Sequence, residues 1–325
     1  MKSRKLAIWI MVAVLCVFSS QAMALVEFKD GGTHNIDYSI KGAIHVDYQT
    51  PDMYTTLNLL DGGVITFPSH LYGYEQSRIN VSGGEVESFH AHDFSQVNIS
   101  GGEIEYFNGH DFSQVNITGG LVDRGLSIFD SSQINITGGI IRRFSSWNYS
   151  QINITGGKIR GYFHTNDYSQ ADISNASIYE LVSYGFSQID VSGCLMDRLS
   201  SRQSSKINIS SGSIEHWLSS QESSQVNISG GEIGGELRLF DQSIIRMFGT
   251  DFAVDGQPFG FRELTSIYSG HPLDEPLRHL SGTLLNGGFI DNDFRIGNDA
   301  RIILIPEPST LLLLGLGAAV LRRKR

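Results

Sequence analysis

The sequence predicts an all-β fold, a parallel β-helix or β-solenoid of about ten coils closed by β-rich caps. Three observations predict it. First, one ten-residue phrase recurs, clearest as Ser95-Gln96-Val97-Asn98-Ile99-Ser100-Gly101-Gly102-Glu103-Ile104, with near-copies starting at Ser77, Ser113, Ser132, Ser150, Ser169, Ser187, Ser205 and Ser224 and a worn copy at Ser243, always 18 or 19 residues apart. A fixed short period over most of a chain is the mark of a solenoid. Second, the apolar ranks of the phrase are β-branched and alternate with polar residues, the period of a half-buried strand. Third, no proline interrupts residues 69–257, as stacked hydrogen-bonded strands require. An antiparallel sheet of about twenty short strands is the competing architecture, but hairpins do not naturally give equal-length repeats of one sense.

Residues 1–24 carry Lys2, Arg4 and Lys5, an apolar run Leu6–Val17, and Ala22-Met23-Ala24. This is the layout of a secretory signal with cleavage after Ala24, Ala22 and Ala24 being the small residues that the processing enzyme reads. The apolar run is short for a permanent span. Removing it leaves Cys194 as the one remaining cysteine, so no internal disulfide is available. A buried or half-buried thiol is expected there.

Residues 25–75 read as an N-terminal cap with irregular coils, Thr56–Gly63 resembling a degenerate copy of the repeat. The cap is needed because the terminal coil of a rod exposes an unpaired strand edge. Residues 76–249 are the regular repeats. Within each, Val97 and Ile99 point inward, Gly101-Gly102 turns a corner with residues that tolerate positive φ, and Ile104 opens a second strand. Large residues two or three ranks later (Phe89, Phe107, Phe144, Leu181, Leu199, Trp217, with Leu126, Phe163 and Leu237 offset) are expected to close the core. Residues Phe94, Phe112, Tyr149, Tyr168 and Phe186 are expected to stack on one another along the rod. Ten coils at about 4.8 Å would make a rod of roughly 48 Å. Residues 250–304 read as a C-terminal β-rich cap, with turn signals at Asp255-Gly256 and Asn286-Gly287-Gly288.

Several motifs invite a chemical reading. Asn80, Asn98, Asn116, Asn135, Asn153, Asn208 and Asn227 each begin an Asn-x-Ser/Thr triplet. The repeat accounts for these triplets as a polar ladder running from coil to coil, in preference to glycosylation or an ice-facing lattice. Asp93, Asp111, Asp130 and Asp167 share one rank. Carboxylates stacked this way call for a bridging cation such as calcium or for turn hydrogen bonds, and the turn role is the stronger reading. His90-Ala91-His92 puts two rings on one strand face near His110, a spacing that suits a metal pair. Other copies hold Asn, Gly or Thr there, which favours solvent-facing corner residues. No cofactor is expected.

The alternative to a structural or adhesive protein is a polysaccharide lyase or hydrolase. Chemistry needs unlike groups in one place, so the residues that depart from their repeat rank (Arg142, Arg143, Trp147, His164, Trp217) mark where a groove would lie. The uniformity of the remaining coils argues against an enzyme. So does charge against nucleic acid: without residues 1–24 and 306–325 the chain keeps 17 basic and 33 acidic side chains, a net of −16, which repels polyphosphate.

Residues 305–325 hold Pro306-Glu307-Pro308, an apolar run Leu311–Leu321, and Arg322-Arg323-Lys324-Arg325. A short apolar stop before a basic end suits a transient inner-membrane anchor. In all three parts and their order this tail resembles the PEP-CTERM sorting domain of Gram-negative exported proteins. The resemblance implies an exosortase-type processing enzyme as partner, with Pro306, Glu307 and Pro308 as the sorting motif. It also implies an association with exopolysaccharide and with the cell surface or biofilm matrix.

Overall fold

A computed structural model describes residues 25–67, 69–266 and 277–306, and it is a parallel β-solenoid of about twelve coils. One coil shows the logic. Gln96–Ile99 forms the first strand. The chain turns at Gly102 and runs through Glu103–Gly109, which covers two further faces of the coil. It then turns at Asp111 into the next first strand, Gln114–Ile117.

The first-strand ladder is parallel and in register from Thr33–Ile36 through Thr56–Leu59, Arg78–Val81, Gln96–Ile99 and each later copy to Ile244–Met247, and it ends on Arg301–Leu304. Val97, Ile99, Ile104 and Phe107 are at most 1% exposed. The interior is therefore one continuous apolar column of stacked identical ranks. Phe89 meets Phe107 edge-on at 5.0 Å, and Phe144 stacks flat on Phe163 at 4.5 Å. Burying a residue of this size contributes about 1.5–3 kcal/mol, repeated at every coil.

The corner needs glycine for two reasons. Gly102 has φ +74°, and a Cβ there would lie 2.6 Å from the carbonyl oxygen of Gly83 in the coil below. The coils approach backbone to backbone at this edge, and a side chain has no space.

The structure corrects the sequence reading in two places. The coils number about twelve, not ten, because residues 25–75 already belong to the ladders: Leu25–Phe28 pairs in parallel with Ala43–Val46, and Thr33–Ile36 with Thr56–Leu59. Longer loops hid these coils, the Asn35–Asn58 and Asn58–Asn80 steps being 23 and 22 residues. Trp217 does not close the core. A register shift between Met196 and Arg198 pairs Leu199 with Leu218, which is fully buried, and sets Trp217 opposite Arg198. The guanidinium of Arg238 lies 5.7 Å from the Trp217 ring.

The C-terminal end changes strand sense. Arg278–Leu284 and Phe289–Ile296 form an antiparallel hairpin that packs along Ile244–Val254 and Glu236–Leu239. Glu263–Leu264 runs antiparallel beside the last ladder strand, Arg301–Pro306. Antiparallel strands here occupy hydrogen-bonding positions that a further coil would use.

Candidate functional surfaces

The repeat projects its polar ranks outward as columns, each held by one kind of bond. On the first face Asn58, Asn80, Asn98, Asn116, Asn135 and Asn153 each donate Nδ2–H to the Oδ1 of the Asn one coil earlier, at 2.8–3.4 Å. The column breaks at Asp172 and Asp190, which are in register, and resumes where Asn208 donates to Asp190 at 2.6 Å and Asn227 to Asn208 at 2.7 Å. This break lines a groove of about 710 Å³ with Ser174, Ser192 and Phe248.

The predicted acidic rank is a turn column. Asp93, Asp111, Asp130 and Asp167 have φ between 55° and 60°, the left-handed region that Asp and Asn tolerate best among side-chain-bearing residues. Each carboxylate accepts a backbone N–H from the turn below: Asp93 from Glu75, Asp111 from Asp93, Asp130 from Asp111, and Asp167 from Asn148, at 3.0–3.2 Å. Asn148 fills the same role for Asp130. The stacked carboxylates thus lie against a line of amide dipoles.

The expected aromatic column exists, in two pieces, and it is exposed. Phe94 and Phe112 stack at 5.2 Å, as do Tyr149, Tyr168 and Phe186, with ring planes within 9°. Their exposures are 50–63%. The rings face one another and turn their edges to solvent, so the column offers no flat platform. Ser131 interrupts it.

A second aromatic column lies on the third face, and only its histidines were singled out from the sequence. Tyr74, His92, His110 and Phe129 stack at 4.8–5.2 Å with planes within 11°. Tyr72 and His90 stack beside them at 5.0 Å. Burial pushes His90 down to about 4, with the neighbouring His92, His70 and His110 adding to the effect; burial and His92 likewise lower His110. The nitrogens of His90, His92 and His110 lie within 4.8 Å of one another.

The residues that depart from their rank do not converge. Arg142 and Arg143 follow the second strand, Arg142 reaching Asp123 at 3.9 Å. Trp147 is 40% exposed at the turn after the third face. His164 lies on the third face, lowered by burial and by Arg202. Trp217 is several coils away with Arg238. A separate polar group forms where His216 meets Asp197 at 2.5 Å beside Glu215 and Arg198. Cys194 is fully buried, and burial raises its thiol above the ordinary range.

Pro306 is the last residue of the final ladder strand and pairs with Gly249. Ala22, Ala24, Glu307 and Pro308 lie outside the described residues. Residues 304–325 match the PEP-CTERM protein-sorting motif. The motif marks the chain as exported and processed by exosortase toward the cell surface. No curated protein and no solved structure matches the chain.

Proposed function

We propose that this exported, PEP-CTERM-bearing β-solenoid is a structural and adhesive component of the extracellular matrix, held to exopolysaccharide and without catalytic activity. The observation that carries the reading is the uniformity of its outward columns. Asn, Asp and aromatic ranks repeat over many coils with the same partners, which builds a long ordered surface, whereas catalysis needs unlike groups at one point.

The stretch best suited to a polymer is on the second face. Arg142, Arg143, Lys158 and Arg160 are exposed on neighbouring coils, and Tyr162 and Tyr179, exposed 45% and 42%, flank them. On a chain of net negative charge, such a cluster attracts an anionic polysaccharide locally, and exposed aromatic faces suit sugar rings. The apolar run of the tail would hold the protein at the inner membrane only until processing.

The test is to incubate the protein with the exopolysaccharide of its own cells. Co-sedimentation without shortening of the polymer is expected, and Arg142→Ser with Arg160→Ser should weaken it. Shortened product would replace this reading with a polysaccharide-degrading one. Failure to sediment would remove the adhesive role.

A further inference from the structure

The solenoid places side chains on a lattice, about 4.8 Å between coils and about 7 Å between alternate residues of a strand. His90 lies in the strand Glu85–Ala91 and His92 follows one residue past its end, and His110 stands one coil beyond His92, donating its backbone N–H to the Ala91 carbonyl. Asn108 completes the cell, in register with His90. Three imidazoles and a carboxamide therefore occupy the four corners of one lattice cell.

We propose that this cell is a binding site for one divalent transition-metal ion of the zinc class, with His90, His92 and His110 as nitrogen ligands and Asn108 as a neighbouring oxygen donor. Imidazole suits such ions, and a tetrahedral site takes three or four ligands of this kind. The His nitrogens already lie within 4.8 Å of one another. A zinc–nitrogen bond of about 2.1 Å requires nitrogens about 3.4 Å apart, so the rings must swing inward from their stacked position.

Two further contacts favour a ligand role over stacking alone. His90 Nε2 is 3.0 Å from Ser88 Oγ, and His92 Nδ1 is 3.7 Å from an Asp111 carboxylate oxygen. Metal-binding histidines commonly hydrogen-bond through their second nitrogen, as His90 does to Ser88, which sets the tautomer and ring orientation, and the Asp111 carboxylate adds negative charge beside His92. All three rings are half-buried. Stacking by itself does not need imidazole: the same column continues with Tyr74 on one side and Phe129 on the other.

That continuity supplies the test. His92→Tyr and His110→Phe keep a ring in the column and remove a ligand. The full chain should bind one equivalent of Zn²⁺ by titration calorimetry at pH 7.5, and Co²⁺ should give the visible absorption of a tetrahedral site. Each variant should weaken Zn²⁺ at least tenfold and abolish the Co²⁺ spectrum, while its melting temperature without metal stays near the parent value. His216→Ala, in the other polar group, should change neither. The proposal is overturned if the parent takes up no Zn²⁺, if both variants bind as the parent does, or if His216→Ala alone removes binding. Should the ring variants not fold, His110→Asn with the Co²⁺ spectrum decides in the same way.

Discussion

Two stretches of the inner corner between the third strand and the next first strand use the same rank in opposite ways. In the N-terminal coils this rank reads Gly73, Ala91, Gly109, Ile128, all in register and apolar or without a side chain. From the next coil it reads Ser146, Thr165, Ser183, Ser201, Ser220, all buried. Both stretches face the invariant serine that opens each repeat, which is fully buried from Ser77 to Ser243. In the later stretch the two ranks bond across the corner: Ser183 to Ser187 at 2.6 Å, Ser201 to Ser205 and Ser220 to Ser224 at 2.8 Å, and Thr165 to Ser187 at 3.1 Å. In the earlier stretch the hydroxyls of Ser77, Ser95 and Ser113 have no partner among the described residues, while Ser132 donates to the Phe129 carbonyl at 2.6 Å; Ser150, at the start of the later stretch, is also unpartnered. The same serine is thus a cost at Ser77, Ser95, Ser113 and Ser150 and a paired group from Ser169 onward, because burying a hydroxyl is unfavourable unless it is bonded.

The largest effect is expected where the two halves agree. Gly102→Val combines a positive φ with a contact on the coil below, and it should unfold the coil or lower the melting temperature more than any serine variant. Left-handed backbone alone costs a β-branched residue about 1–3 kcal/mol. Next comes a pair of opposite sign. Ser187→Ala should destabilise by about 1–2 kcal/mol, whereas Ser95→Ala, at the same repeat position, should be neutral or stabilising. Equal losses in thermal melts would break the comparison.

Acid should separate the halves further. His45, His90 and His110, on the N-terminal coils, have lowered pKa values, mainly through burial, and His164 is the corresponding residue farther along. Their unfolded forms take up a proton near pH 6.5 while the folded forms resist it. Stability is therefore full above about 6.5 and declines as pH falls toward the folded values. Hydrogen exchange at pH 5 should speed up in residues 70–110 before it does in residues 180–240. The smallest effect is a gain: Ala91→Ser should offer Ser95 a partner and raise stability by up to about 1 kcal/mol, provided Ser95 is intact.

The β-branched ranks and the glycine corners made the coil legible, since Val97, Ile99 and Ile104 recur at a fixed period and no other fold needs them there. The turn role of Asp93, Asp111, Asp130 and Asp167 followed from residue type alone. What escaped depends on a single residue of register or on neighbours across coils. Trp217 looked like a core residue because the local register shift that hands the core to Leu218 leaves no mark in composition. The hydroxyl column leaves no mark in the sequence, since Ser183 and Ser201 are polar by type and buried by position. The histidine cell needs the coil-to-coil register that brings His110 beside His92, and the strand pattern around His90 and His92 carries only half of it.

Leu304, where the sorting motif begins, is still a core residue of the last ladder strand, 3% exposed, and Pro306 closes that strand. The chain therefore carries almost no slack between folded body and tail: residues 307–310, fully extended, reach at most about 14 Å. Exosortase processing of the motif therefore takes place within a few residues of the last ladder strand. A cut anywhere beyond Pro306 leaves every ladder strand whole, so processing there requires no unfolding of the coils.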